Sequence, residues 1–340
     1  MRAIAPGKLI LSGEHAVVYG APAIAMAVNR HAQTFLLDGG ALPQTVRFDL
    51  ADLPGGESGS LTLRALRDLR ARVRRNYDAF LAGGLSIREV LSKPAELFEF
   101  AFINSLEALH LRLPHGLDLK LHSNIPIGCG MGSSAATVMS VLRAVGHYFR
   151  LEFRPDWYYR FSLEAENLQH GHASGLDTFV SLHGGCVRFE KGLAQSMPLP
   201  RVPLYVVQTG TPASTTGEAV AAVKAATGGK GSAAWGEFSA VTDRMAQALR
   251  ENDPEAFVAS VKDNHRLLRE IGVVPGKVAD FLREVEAAGG AGKICGAGAV
   301  AGDAAGMVLV AGARPSDELL AKYGYSLLTV RADPLGARVV

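Results

Sequence analysis

The sequence predicts an α+β fold in two lobes, and three observations carry this. Strand patterns lie side by side near the N-terminus with no helix between them. Long helical blocks follow elsewhere. A Pro/Gly-rich stretch at 193–203 separates two halves. A doubly wound sheet would instead alternate strand and helix throughout. With 48% hydrophobic and 20% charged residues over 340, the chain has apolar material for one large or two moderate cores.

In chain order, residues 9–11, 23–28, 33–37 and 45–50 read as strands. Residues 53–60 (LPGGESGS) form a Gly/Ser loop. From 61 to 81, Leu66, Leu69, Val73, Tyr77 and Phe80 recur at helical spacing. The same helix carries Arg64, Arg67, Arg70, Arg72, Arg74 and Arg75, expected to be its solvated face rather than a phosphate site. A second helix runs over 94–111, and 115–123 alternates as a strand. After a Pro- and Gly-punctuated loop, Val138, Val141, Leu142, Val145 and Phe149 mark a buried helical stripe. Residues 204–207 are a strand. Residues 214–281 are mostly helical, broken at 228–231, 253–254 and 274–275. Strands are expected again at 293–297, 306–310 and 327–330.

Charge is nearly balanced, with 35 basic against 33 acidic residues. That gives no electrostatic case for nucleic acid or a membrane surface. Cys129, Cys186 and Cys295 show neither metal nor disulfide spacing, and their odd number points to a reducing compartment. No run of about 18 apolar residues and no leader pattern is visible, so a cytoplasmic location is expected.

Three glycine-bearing segments carry chemistry. In PIGCGMGSSAA (Pro126 onward), Gly128, Gly130 and Gly132 let the backbone curl so that amides converge just before a helix N-terminus. That is an anion site suited to a polyphosphate. Ser133 and Ser134 can cap the helix, and one hydroxyl can reach a phosphate or a metal. The segment is neither a Walker A loop nor a Rossmann turn. A capped Gly-rich turn with no ligand is the alternative.

In EAENLQHGHASGLDTFVSLHGG, Glu166 lies on a helix and Asp177 follows a glycine turn. Phosphoryl transfer uses one carboxylate for Mg²⁺ and often another to orient the attacking hydroxyl. Surface carboxylates, with Asp177 as a helix cap, are the alternative. His170 and His172 do not share a helix face and are not read as metal ligands. The third segment, KICGAGAVAGDAAGMVLV, is a strand, a glycine loop and a strand. It serves either as a second wall against phosphates or as a tight connection. Finally, Lys8, Glu14 and His15 stand in the apolar stretch APGKLILSGEHAVVYG and need partners there.

These segments, in this order, resemble the GHMP kinase superfamily, and most of all its mevalonate kinase branch. The opening stretch discriminates, because galactokinases follow Gly-Glu-His with Thr-Asp. The resemblance implies a two-lobed α+β fold, with a ribosomal protein S5 domain 2-like N-terminal lobe (1–195) and a ferredoxin-like α/β C-terminal lobe (196–340). It implies ATP on Pro126, Gly128, Gly130, Met131, Gly132, Ser133, Ser134 and Ala135, and Mg²⁺ on Ser134 and Glu166. Asp177 would take or orient the proton of the acceptor hydroxyl, with Lys8 beside it. Glu14, His15 and Thr215 would line the acceptor pocket; a buried hydrogen-bonded Glu14–His15 pair that fixes a loop, and Thr215 as a helix N-cap, are the alternatives. The implied partner is a small molecule, mevalonate first, and a homodimer fits the family.

Two departures stand out. Ala299 and Val300 replace glycines of the third motif, where a Cβ at positive φ would be strained, so this loop is expected to take another path. Ala213 stands where many mevalonate kinases carry arginine. Another acceptor (a sugar, a hydroxy acid or phosphomevalonate) and a non-catalytic ligand-binding regulator therefore stay open.

Overall fold

Two sheets organise the computed structural model, which describes residues 1–39, 42–51, 53 and 58–340, the Lys230 side chain excepted. Residues 54–57 of the expected loop at 53–60 lie outside the described residues. The first part of the chain runs β1 (Arg2–Ser12), α1 (Glu14–Val18), β2 (Ala23–Asp38), β3 (Thr45–Asp49), β4 (Gly59–Thr62), α2 (Leu63–Leu81), α3 (Ala95–Ala108) and β5 (Leu117–Ser123). It continues with α4 (Ser133–Tyr148), α5 (Pro155–His170), α6 (Leu176–His183), β6 (Cys186–Glu190) and β7 (Leu193–Met197). The second part holds β8 (Leu204–Gln208), α7 (Thr216–Thr227), α8 (Ala234–Glu251), α9 (Pro254–Glu270) and α10 (Gly276–Ala287). It ends with β9 (Ala291–Ile294), β10 (Met307–Ala311), α11 (Asp317–Tyr323), β11 (Ser326–Leu328) and β12 (Arg338–Val339).

The larger sheet is ordered β12-β1-β2-β5-β3-β4, with β6 on β2 and β7 on β6. The smaller is β11-β8-β10-β9. The α+β class stands. The strands expected at 23–28 and 33–37 are one continuous strand. Its polar middle is a bulge: Pro6 faces His31 and Gly7 faces Val28, so Asn29 and Arg30 are left over. β2 also changes neighbour there, pairing β6 through 23–26 and β5 through 32–38.

The arginine face of α2 is not simply solvated. α3 and α5 present acids to it, giving Arg67–Glu107 at 2.8 Å, Arg72–Glu96 at 2.7 Å and Arg74–Glu164 at 2.7 Å. Arg70 Nε also donates to Asn104 Oδ1 at 2.8 Å.

α3 and α4 pack on the larger sheet through Phe102, Val138 and Leu142 against Leu36, Phe48 and Leu119. A second core gathers Phe238, Phe281 and Leu282 over Val308 and Val310 of the smaller sheet. A third cluster joins the two: Leu9 and Leu11 of β1 and Met131 meet Cys295, Met307 and Leu309. That shared cluster brings the β1, phosphate-loop and third-glycine segments to one place. All three cysteines are free and buried. Among the described residues no helix is long and apolar enough to cross a membrane.

Candidate active site

The phosphate loop alternates in hand. Gly128, Gly130 and Gly132 have φ of 69°, 83° and 68°, while Cys129 and Met131 between them are not left-handed. This alternation turns successive N–H groups toward a common concavity. Gly132 is itself the N-cap of α4, with no side-chain cap. Ser133 and Ser134 therefore do not cap the helix, contrary to expectation, and its first-turn amides stay available to an anion. Met131 and Ala135 are buried, so they can offer a ligand only their backbone.

Glycine at 130 is dictated by the second sheet. A Cβ there would lie 2.3 Å from the Cys295 carbonyl oxygen. The loop is further fixed by Met307 N–H donating to Cys129 O at 3.2 Å, and by Lys8 N–H donating to Met131 O at 2.9 Å.

That last bond delivers Lys8. Its Nζ lies 3.3 Å from Asp177 Oδ1, with the lysine side chain 4% and the aspartate 35% exposed. A Cβ on Gly132 would stand 3.0 Å from Lys8 Cγ and 3.3 Å from Asp177 Oδ2. The loop, the ammonium and the carboxylate are therefore in mutual contact. Asp177 sits in the first turn of α6 without capping it.

Glu166 completes the group. Its Oε2 accepts from Ser134 Oγ at 3.0 Å and lies 3.6 Å from His170 Nε2. Its Oε1 is buried without a partner. Burial, then the charge of Asp177, push the Glu166 carboxyl up to about 8. Burial holds the His170 imidazole below its ordinary range. A buried acid with an orphaned oxygen, a hydroxyl and an adjacent anion-binding loop is a donor set that a hard cation satisfies. Mg²⁺ fits these residues, because it is commonly held by one or two carboxylates plus substrate phosphates. Among the described residues no group of three or more His, Cys, Asp or Glu could hold a metal without such help. α5 and α6 are held together by Ser162 and Thr178, whose hydroxyls are 3.3 Å apart, and the turn between them is tied to α5 by Ala173 N–H donating to Asn167 Oδ1 at 2.8 Å.

Three expected acceptor residues are placed differently. Glu14 does not open onto a pocket: Lys293 ion-pairs with its Oε1 and Asn264 donates to Oε2 at 2.9 Å. Burying a carboxylate demands such partners, and the sequence alone does not reveal them. His15 is 3% exposed and donates from Nε2 to Ala297 O at 2.9 Å. Burial lowers its pKa. Thr215 is the N-cap of α7, in a reciprocal box with Glu218, and Arg88 Nη2 reaches its hydroxyl at 3.4 Å.

In the third loop, the left-handed positions fall on Gly296, Gly298, Gly302 and Gly306. Ala299 and Val300 avoid positive φ and are unstrained, their amides bonded to Val273 O and Ser214 Oγ at 3.0 Å. Sequence reasoning missed His170 at the site. Its i,i+4 spacing from Glu166 was the available signal.

Comparisons with known proteins bear on the family and the fold. The family described as GHMP kinases N terminal domain matches residues 97–185. A mevalonate kinase of Thermococcus sibiricus is 30% identical over 318 residues, covering 87% of this chain and 86% of that protein. The crystal structure of the Methanococcus jannaschii mevalonate kinase superposes with a TM-score of 0.78 at 24% identity, covering 98% of each chain. That of L. major mevalonate kinase in complex with R-mevalonate gives 0.65 at 20% identity, over 95% of this chain and 90% of that one. Sequence and fold thus agree over nearly the whole length, and the chain belongs to the mevalonate kinase family of the GHMP kinases.

Proposed function

We propose that the chain transfers the γ-phosphoryl group of ATP to the C5 hydroxyl of mevalonate, giving 5-phosphomevalonate and ADP. The observation that carries this reading is the Lys8–Asp177 pair, 3.3 Å apart and pressed against Gly132 of the phosphate loop. The mevalonate kinases among its relatives support the acceptor.

Phosphoryl transfer is mostly positioning and charge stabilisation. The amides of 128–134 and the open end of α4 hold the β- and γ-phosphates. Asp177 orients the acceptor hydroxyl and takes its proton as the O–P bond forms. Lys8 offsets charge on the transferring group in a site drier than bulk water. Ser134 and Glu166 would hold Mg²⁺, which when bound neutralises phosphate charge. In this reading residues 1–195 and 196–340 form two lobes with the nucleotide between them, β7 and β12 completing the first lobe's sheet. A cytoplasmic enzyme acting on a small molecule, with no nucleic-acid or membrane partner and able to form a homodimer, belongs to the same reading.

The test is ADP release with Mg²⁺ and ATP. Turnover with R-mevalonate should exceed that with galactose, phosphomevalonate or other hydroxy acids. Faster turnover of another alcohol would reassign the acceptor. ATP binding without turnover of any acceptor would point to the regulator.

A further inference from the structure

The buried Glu14–Lys293 pair joins α1, the connection between β1 and β2 of the larger sheet, to β9 of the smaller one. The Lys293 side chain is fully buried and that of Glu14 is 1% exposed. An ammonium has three donors, and all three are used here: on Glu14 Oε1, on Ile10 O at 3.0 Å and on Ile294 O at 2.8 Å. Asn264 of α9 donates to the remaining carboxylate oxygen. One lysine therefore gathers β1, α1 and its own strand, and its counter-ion adds α9.

Each of these attachments leads to the site by a short path. Ile10 lies two residues beyond Lys8 on β1. Glu14 precedes His15, whose ring bonds Ala297 four residues past Lys293, so two parallel rungs fasten α1 to the β9 loop. That same loop carries Cys295 and Gly296, which press against Gly130 of the phosphate loop.

Replacing a buried ion pair with apolar residues of similar volume is often neutral or stabilising, so stability alone does not account for this one. What the pair specifies is register between the two sheets. We infer that Lys293, through Glu14 and the Ile10 carbonyl, is a positioning residue that sets Lys8 and the third glycine loop against the phosphate loop. This rests on the phosphoryl-transfer reading above. Neither residue touches a reacting atom.

The experiment compares Lys293→Met, Glu14→Ala and Glu14→Gln in the mevalonate assay, with thermal unfolding measured in parallel. Lys293→Met and Glu14→Ala should each lower kcat at least about 30-fold, because small displacements at a phosphoryl-transfer site are costly. KM for ATP should move much less. Glu14→Gln should fold and keep kcat within about threefold of wild type. Its amide oxygen can still accept from Lys293, and its NH₂ can donate to Asn264 Oδ1, which is buried without a partner, once that amide turns over. Rescue by glutamine but not alanine separates positioning from general destabilisation. A Lys293→Met protein with near wild-type kcat, or equal losses in the alanine and glutamine variants, would overturn the inference. If Lys293→Met does not fold, the alanine–glutamine comparison decides alone. Absence of mevalonate turnover by the wild type would defeat the functional reading instead, so the two failures are distinguishable.

Discussion

Lys8 Nζ and Asp177 Oδ1 lie 3.3 Å apart, although one comes from the first strand of the chain and the other from the helix after the second glycine turn. The lysine is nearly sealed from solvent while the aspartate is about one-third exposed. The ammonium is thus fixed in the wall and the carboxylate can meet an incoming hydroxyl. Replacing Lys8 with Met should cut kcat by roughly 10²–10³-fold, the range seen when a donor to developing charge is removed. KM for ATP should change little. Steady-state kinetics read this directly, and a change confined to KM would assign Lys8 to binding alone.

Gly132→Ala probes the contact between loop and pair. Its φ of 68° is left-handed, and the added carbon would meet Lys8 Cγ at 3.0 Å and Asp177 Oδ2 at 3.3 Å. The backbone penalty is about 1–2 kcal/mol. Turnover should fall on the order of 100-fold, since the reacting groups are pushed apart. Melting temperature and kcat measured together test this, and a large loss of stability with intact kcat would count against the placement.

Glu166 gives a pH prediction with a definite sign. Its carboxyl is raised from 4.5 to about 8 in the folded chain. Between those values the unfolded state has lost its proton while the folded state keeps one. Stability in EDTA should therefore fall as pH rises from about 5 to 8, by up to about 1.4 kcal/mol per unit from this group. Glu166→Gln should flatten that slope and sharply raise the Mg²⁺ concentration needed for turnover. Superimposable pH–stability curves and magnesium titrations for the two proteins would remove Glu166 from this role.

Thr215→Ala should cost about 0.5–2 kcal/mol, the usual value of a lost N-cap. Thr215→Ser should restore it. KM for the acceptor should stay within about twofold in both. A several-fold rise in acceptor KM would return Thr215 to the pocket.

The alternating glycines marked an anion-binding turn by local pattern alone, whereas Lys8, Ser134, Glu166 and Asp177 were drawn into one set by the family resemblance, and the structure places these four side chains near one another. The partners of Glu14 were not legible, because Lys293 and Asn264 are 279 and 250 residues away and no local spacing links them. Thr215 was readable both as a helix cap and, through the family pattern, as a ligand contact; the Thr-x-x-Glu spacing to Glu218 is the local signal for the cap it makes. β2 was divided over 29–32 because the bulge at Asn29 and Arg30 and a chain break look alike in hydropathy. The acids facing the arginines of α2 come from other helices, so a paired face looked solvated.

The account turns on Asp177 as the group that receives the acceptor's proton. Its most direct test is kcat for Asp177→Asn with R-mevalonate, measured beside ATP binding by calorimetry. The prediction is a fall in kcat of about 10²–10⁴-fold, with ATP affinity close to that of the wild type. An asparagine variant that turns over mevalonate at near wild-type rate would contradict it.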